Sequence, residues 1–82
     1  MKYHNKELDE KLVKILKETF KTDEINFEDS MEQIPAWDSM KHFQMITAVE
    51  KEFNIEINIS DSFEMISIPA IKNKILKYLN DR

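Results

Sequence analysis

Few residues in this chain could do chemistry, and the most informative is a serine beside an aspartate. Asp38-Ser39-Met40 follows a long acidic stretch and stands where a helix is expected to begin. A serine in the first turn of a helix exposes its hydroxyl beside backbone N–H groups that have no partner within the helix. A phosphate on that hydroxyl would be stabilised by those donors and by the positive end of the helix dipole. Asp and Ser are also ordinary capping residues, so these residues alone favour a structural role.

The rest of the chain offers little to an autonomous catalyst. It has two histidines, His4 near the start and His42 in a predicted helix, and it lacks both glycine and cysteine. Without glycine there is no glycine-rich loop to cradle a phosphate, and without cysteine there is no disulfide, thiolate metal site or thiol nucleophile. The carboxylates are scattered over turns and polar helix faces. We therefore expect no catalytic residue and no metal site.

The composition and charge limit the class of protein. The 82 residues are 41% hydrophobic and 34% charged, which predicts one small domain over residues 1–82. Residues 22–64 hold eleven acidic and two basic side chains, whereas residues 1–21 and 65–82 have net charges of +2 and +3. Such an acidic segment is repelled by nucleic acid and suits a basic protein surface. With no apolar run near the roughly 20 residues that span a bilayer and no secretory signal, we expect a cytoplasmic monomer.

The apolar pattern predicts an all-α four-helix bundle. Apolar residues at helical spacing indicate three main helices over residues 6–20, 38–53 and 68–79, with one short helix over residues 61–66. Asp38 and Ser67 are suitable N-caps for the second and the last helix. Trp37, just before the second helix, suits a hydrophobic staple.

Two connections need separate interpretation. Residues 21–37 show no sustained period and are predicted as a long ordered loop, tied to the body by apolar side chains at Ile25, Phe27, Met31 and Ile34. Residues 53–59 alternate like a strand, with Phe53, Ile55, Ile57 and Ile59 apolar. Because no second alternating run is present to pair with them, we expect an extended loop that packs alternate side chains between helices.

The second helix has two different sides when its residues are placed at about 100° intervals. One side is large and apolar apart from a histidine, and comprises His42, Met45, Ile46, Val49 and Phe53. The opposite side is nearly neutral, and comprises Met40, Gln44, Thr47 and Lys51. The first set is expected to face the core, where His42 is interpreted as a packed, hydrogen-bonded side chain.

A wider run of sequence around the serine changes its interpretation. Residues 35–42, with a Trp-Asp-Ser-Met motif, and residues 48–57, with a Glu-x-x-Phe-x-x-x-Ile ending, resemble the acyl carrier protein family. Residues 8–20, 61–67 and 68–79 fall where the first, third and fourth helices of that family lie. The three-residue motif is weak by itself, but the motif, helix order and length together cover nearly the whole chain.

The resemblance implies a carrier whose chemistry is supplied by a covalent arm. In the family the motif serine, here Ser39, receives 4′-phosphopantetheine through a phosphodiester, and the thiol of that arm holds acyl groups as thioesters. Asp38 would lie against the magnesium site of the transferase during attachment. The implied partners are a phosphopantetheinyl transferase, an acyl- or aminoacyl-activating ligase, and downstream enzymes that use the loaded group. A carrier of this kind catalyses nothing itself.

Two departures from the family pattern bear on the pathway. Ala36-Trp37 stand where the family often has a glycine, and residues 38–53 have a net charge of only −1. A dedicated acyl or aminoacyl pathway is therefore favoured over housekeeping fatty-acid synthesis, with docking steered less by charge. The expected partner-binding residues are Asp38, Met40, Gln44, Thr47 and Lys51, with Met40 at the apolar centre. Two alternatives stay open: a non-carrier helical protein-interaction module without a prosthetic group, and a position for His42 beside the arm's exit from the core.

Overall fold

The computed structural model describes residues 5–80 and is all-α. Its four helices are α1 (Asn5–Phe20), α2 (Ser39–Phe53), α3 (Ile59–Glu64) and α4 (Ile68–Asn80). The predicted fold of three main helices and one short helix, with a long first connection, is therefore confirmed. His4 lies outside the described residues. None of the helices within residues 5–80 combines the length and apolar character needed to cross a membrane.

The core is built from the apolar stripes of the three long helices. α1 packs against both α2 and α4. The predicted inner residues of α2 are all buried, including His42. The fully buried side chains that fill the centre are Leu8, Leu12, Leu16, Met45, Val49, Phe53, Met65, Ile68, Ile71 and Ile75. Removing these surfaces from water is the main favourable term that holds the helices together.

The long connection between α1 and α2 is ordered by backbone hydrogen bonds to the far end of the chain. Met31 N donates to Ile66 O at 2.8 Å, and Ile68 N donates to Asp29 O at 2.9 Å. Ile34 is buried, and Ile25 and Met31 are partly buried against the core, as predicted. Phe27 is the most exposed of the four predicted anchors, at 39%, and lines a cleft with Ile68 and Pro69 of α4. The loop is thus fastened to the segment between α3 and α4.

The segment from α2 to α3 follows the predicted extended loop for only part of its length. α2 ends at Phe53 and is capped by Asn54, which adopts a left-handed conformation with φ 55° that asparagine tolerates. Ile55 is buried and Ile57 is partly buried, but Ile59 is 69% exposed. The Asn58 side chain accepts a hydrogen bond from Asp61 N at 2.7 Å and caps α3. The helix therefore begins at Ile59 rather than at the predicted residue 61, and Ile59 stands in its first turn instead of packing inward.

Candidate functional site

The start of α2 is built as the sequence predicts. Asp38 is the N-cap: its Oδ1 accepts a hydrogen bond from Lys41 N at 2.8 Å, and its carbonyl accepts from His42 N at 2.8 Å. Ser39 is consequently the first helical residue, and its side chain is exposed. Within residues 5–80 the Ser39 hydroxyl makes no hydrogen bond, so no neighbouring group in this part of the chain occupies it.

Trp37 and His42 fix the direction in which the chain enters α2. The two residues flank the cap as the N′ and N4 positions, and their rings lie edge to edge, with centroids 6.1 Å apart and planes inclined by 20°. The Trp37 Nε1–H donates to His42 Nδ1 at 3.0 Å, and the Trp37 ring packs on Phe20 at a centroid distance of 5.0 Å. The predicted packing role of Trp37 is confirmed.

This hydrogen bond also determines the form of the His42 ring. Because Nδ1 accepts from Trp37, a neutral His42 carries its proton on Nε2. Nε2 lies 2.7 Å from Ser62 O and donates to it, which joins α2 to α3. His42 is therefore packed and hydrogen-bonded at both nitrogens, as expected. Whether it also borders the path of an arm stays a prediction.

The short helix α3 is held in place by polar contacts with α4. The Tyr78 hydroxyl donates to Asp61 Oδ2 and accepts from Asn58 N at 3.1 Å. Lys74 Nζ lies 2.9 Å from Asp61 Oδ1 and 2.8 Å from Glu64 Oε1. The Tyr78 hydroxyl, followed by Lys74, holds the pKa of Asp61 below its ordinary value. The hydrogen bonds to Glu64 and Asp61 raise the pKa of Lys74, and burial raises the pKa of Tyr78.

An apolar pocket lies between α2, α3 and the long loop, directly at the predicted site. Its volume is about 210 Å³, and its lining residues are Met31, Ser39, His42, Phe43, Phe63 and Ile66. The rings of Phe43 and Phe63 are 54% and 62% exposed, which is unusual for large apolar side chains. No role was predicted from the sequence for Phe43, Phe63 or Ile66. The spacing could have indicated Phe43, because it lies four residues after Ser39 and therefore on the same face of α2, one turn further along.

The predicted outer side of α2 faces away from the core. Met40 is 70% exposed, and Gln44, Thr47 and Lys51 are exposed as well. Asp38 is exposed too, but its Oδ1 is engaged in capping the helix. Met40 and Phe43 together give the N-terminal half of α2 an apolar surface. The use of these residues for partner binding stays a prediction.

The chain is similar to a solved carrier. It matches the solution NMR structure of a holo acyl carrier protein from Geobacter metallireducens with a TM-score of 0.79 and 26% sequence identity. The match covers 90% of this chain and 86% of that chain. No family model matches the chain. No curated protein matches it either.

The helix order and the structural match define a four-helix bundle with the fold of an acyl carrier protein. The structural likeness makes the chain an acyl-carrier-protein-like protein and supports a role as a carrier rather than as a catalyst.

Proposed function

We propose that this protein carries acyl or aminoacyl intermediates as thioesters on a 4′-phosphopantetheine arm attached to Ser39. The observation that carries the proposal is the Ser39 hydroxyl, which is exposed at the first position of α2 and makes no hydrogen bond within residues 5–80. A hydroxyl so presented is open to a transferase and can be esterified without breaking a contact in this part of the fold.

The surroundings of Ser39 fit a phosphodiester. The amides of Ser39 and Met40 belong to the first turn of α2, where backbone N–H groups have no intrahelical acceptor. Those donors and the positive end of the helix dipole favour a negative charge at this position. The carboxylate of the preceding residue, Asp38, accepts from Lys41 N through Oδ1, so that oxygen is already committed to the cap. Ser39 would thus hold the arm, and the first turn of α2 would stabilise its phosphate.

The composition indicates which groups the arm would supply and which the protein would supply. The chain has no cysteine, so the arm would supply the thiol that holds the cargo. Asp38 fixes the first turn by capping it, and Trp37 fixes the entry to the helix by packing on Phe20. The protein's own contribution is presentation of a rigid attachment point.

The partners that this function requires are enzymes that load, attach and use the arm. They are a phosphopantetheinyl transferase, an acyl- or aminoacyl-activating ligase, and downstream enzymes of a dedicated biosynthetic pathway. The exposed outer residues of α2 (Met40, Gln44, Thr47 and Lys51) and Asp38 would form the surface that these partners contact. The near-neutral charge of α2 supports recognition by apolar contact more than by charge.

Intact mass spectrometry after incubation with a phosphopantetheinyl transferase, magnesium and coenzyme A tests the assignment. The wild-type chain should gain about 340 Da, the mass of a phosphopantetheinyl group on a serine hydroxyl. Ser39→Ala should gain nothing. Ser60→Ala is the matched control, because Ser60 is also an exposed serine in the first turn of a helix, α3. It should gain the same mass as wild type.

Two outcomes would contradict the proposal. A wild-type chain that stays unmodified by several transferases, under conditions that load an established carrier, would indicate the non-carrier interaction module. A modification that persists in Ser39→Ala would place the arm on a different residue.

A further inference from the structure

The pocket beside Ser39 is lined mainly by apolar and aromatic side chains. Its wall includes Ser39 itself, and the other lining residues are Met31, His42, Phe43, Phe63 and Ile66. We propose that this pocket seats the geminal dimethyl group of the phosphopantetheine arm, a binding site that rests on the proposed attachment at Ser39. The arm would leave the protein along the surface of α2 and α3 instead of extending freely into solvent.

Apart from Ser39, which would carry the arm, the polar side chain that lines the pocket is already engaged, which makes the pocket selective for an apolar group. Both ring nitrogens of His42 are hydrogen-bonded, Nδ1 to Trp37 and Nε2 to Ser62 O. On the opposite wall, Met31 N donates to Ile66 O at 2.8 Å. Apart from Ser39, the remaining lining side chains are aliphatic or aromatic. An amide or hydroxyl of the arm would lose its water here without gaining a partner, which is unfavourable.

The arm has one compact apolar group close to its phosphate. Counting from the phosphate oxygen, the first carbon is a CH₂ and the second is a quaternary carbon with two methyl groups. Every other part of the arm near the phosphate is polar, because a hydroxyl and an amide follow. Since Ser39 both lines the pocket and would hold the phosphate, the dimethyl group is the apolar segment closest to this cavity along the chain of bonds.

The size of the pocket agrees with this occupant. An apolar cavity of about 150 Å³ is sufficient to bind benzene. The pocket at Ser39 measures about 210 Å³ and opens to solvent between two exposed rings. A quaternary carbon with its methyl groups is comparable to benzene in size, whereas a long acyl chain would extend well beyond the space. The occupant would also cover the exposed faces of Phe43 and Phe63.

The pocket is formed before any ligand arrives. Its α2 side is fixed by the Trp37–His42 contact, and its α3 side is fixed through Ser62 and the contacts of Asp61 with α4. The loop side is fixed by the hydrogen bond of Met31 to Ile66. Binding therefore requires little ordering of the protein, which lowers its entropic cost.

Isotope-filtered NMR on the holo protein tests this site directly. The protein is labelled with ¹³C and ¹⁵N, and the arm is transferred from unlabelled coenzyme A, with intact mass confirming that attachment is complete. We expect nuclear Overhauser contacts from the two arm methyl groups to the ring protons of Phe43 and Phe63, and an upfield ring-current shift of those methyl signals. Phe43→Ala and Phe63→Ala should each lose the contacts to the ring that is removed, and each should reduce the shift. Phe27→Ala, which removes an exposed loop ring outside the pocket, should keep both.

The outcomes separate this proposal from the proposed function. A protein that never accepts the arm overturns both. A fully loaded protein whose arm methyl groups show no contact with either ring overturns the pocket assignment alone. A second sample carries a hexanoyl thioester on the arm. Contacts from its methylenes to Phe43 and Phe63, in place of contacts from the arm methyl groups, would likewise overturn the pocket assignment. Phe43→Leu guards against a folding artefact: the arm methyl groups should contact the leucine methyl groups and the Phe63 ring, while the ring-current shift decreases.

Discussion

Trp37 and His42 show how two side chains can fix the entrance to a helix. The tryptophan is buried against Phe20 and gives its single N–H to His42 Nδ1 at 3.0 Å. The histidine also binds α3, because its Nε2 donates to Ser62 O at 2.7 Å. The position of Ser39, between the two partners in sequence, is therefore determined by contacts on both sides of it.

Trp37→Phe tests the hydrogen bond while it retains an aromatic ring. The substitution leaves the buried Nδ1 of His42 without its donor, and an unsatisfied buried acceptor costs about 1–3 kcal/mol. We expect the free energy of unfolding to fall by about that amount. Urea denaturation followed by far-UV circular dichroism measures it, because the variant removes the chain's single tryptophan and with it the usual fluorescence signal.

Phe27→Leu is the control for that measurement. It alters an exposed aromatic side chain in the long loop and should change stability by less than about 0.5 kcal/mol. If Trp37→Phe were as stable as this control, the Trp37–His42 bond would not contribute to the entry of α2.

At the scale of elements, α3 is the part of the fold that depends most on polar contacts. It is only six residues long, and a helix of that length has little stability of its own. Its fixed position comes from Asp61, which contacts Tyr78 and Lys74 of α4, and from Ser62, which accepts from His42. Because Phe63 lies on this helix, the same contacts position one wall of the pocket.

The contacts of Asp61 predict a specific pH dependence. Its pKa is lowered in the folded state, first by the Tyr78 hydroxyl and then by Lys74, below the ordinary value of 3.8. The stabilisation is therefore fully present above pH 3.8 and is lost as the pH falls through the lowered folded-state pKa. Asp61→Asn should be less stable than wild type at neutral pH, and the difference should shrink on acidification. Urea denaturation at a series of pH values measures both curves.

Asp23→Asn provides the comparison for that series. Asp23 is an exposed loop carboxylate whose side chain forms no hydrogen bond or ion pair within residues 5–80. Its stability curve should run parallel to that of wild type. An Asp61→Asn curve that also stayed parallel down to acid pH would exclude the Asp61 carboxylate as a source of acid sensitivity.

At the scale of the whole molecule, charge and apolar surface are distributed differently. Residues 22–64 hold eleven acidic against two basic side chains, yet residues 38–53, which contain α2, have a net charge of only −1. Large exposed apolar side chains occur around the start of α2 and on α3, including Met40 and Phe63. A partner that docks beside Ser39 would meet an apolar surface with acidic surroundings.

This distribution predicts how attachment responds to mutation and salt. Met40→Ala should lower kcat/KM of a phosphopantetheinyl transferase about tenfold, which corresponds to about 1.4 kcal/mol, the range of a buried interface anchor. Raising the ionic strength through the physiological range should change kcat/KM less than this substitution does, because screening acts mainly on charged contacts. The rate of mass gain measures both effects.

Lys14→Ala is the control for the surface, since Lys14 is exposed on α1 and does not line the pocket at Ser39. It should leave kcat/KM close to that of wild type. A strong salt dependence combined with a normal rate for Met40→Ala would mean that charge, and not the methionine, directs docking.

Local patterns predict much of this fold because they act over neighbouring residues. The helical spacing of Leu8, Leu12 and Leu16 and the capping chemistry of Asp38 are properties of short segments, so α1 and the start of α2 lie where the sequence indicates them. The same reasoning fails at Ile59. Its alternation with Ile55 and Ile57 suggests burial, but the cap at Asn58 turns the chain into α3 and leaves Ile59 exposed.

The sequence by itself determined the four helices, the two sides of α2 and the exposure of a serine at its first position, because periodicity and capping depend on residues within a turn or two of one another. Only the tertiary structure decided that Phe63 and Ile66 meet Phe43 beside Ser39, and that His42 joins Trp37 to Ser62. Apart from the Trp37–His42 hydrogen bond, these contacts bring together residues about 20 positions apart in sequence, and no local pattern encodes a distance that is set by how helices pack.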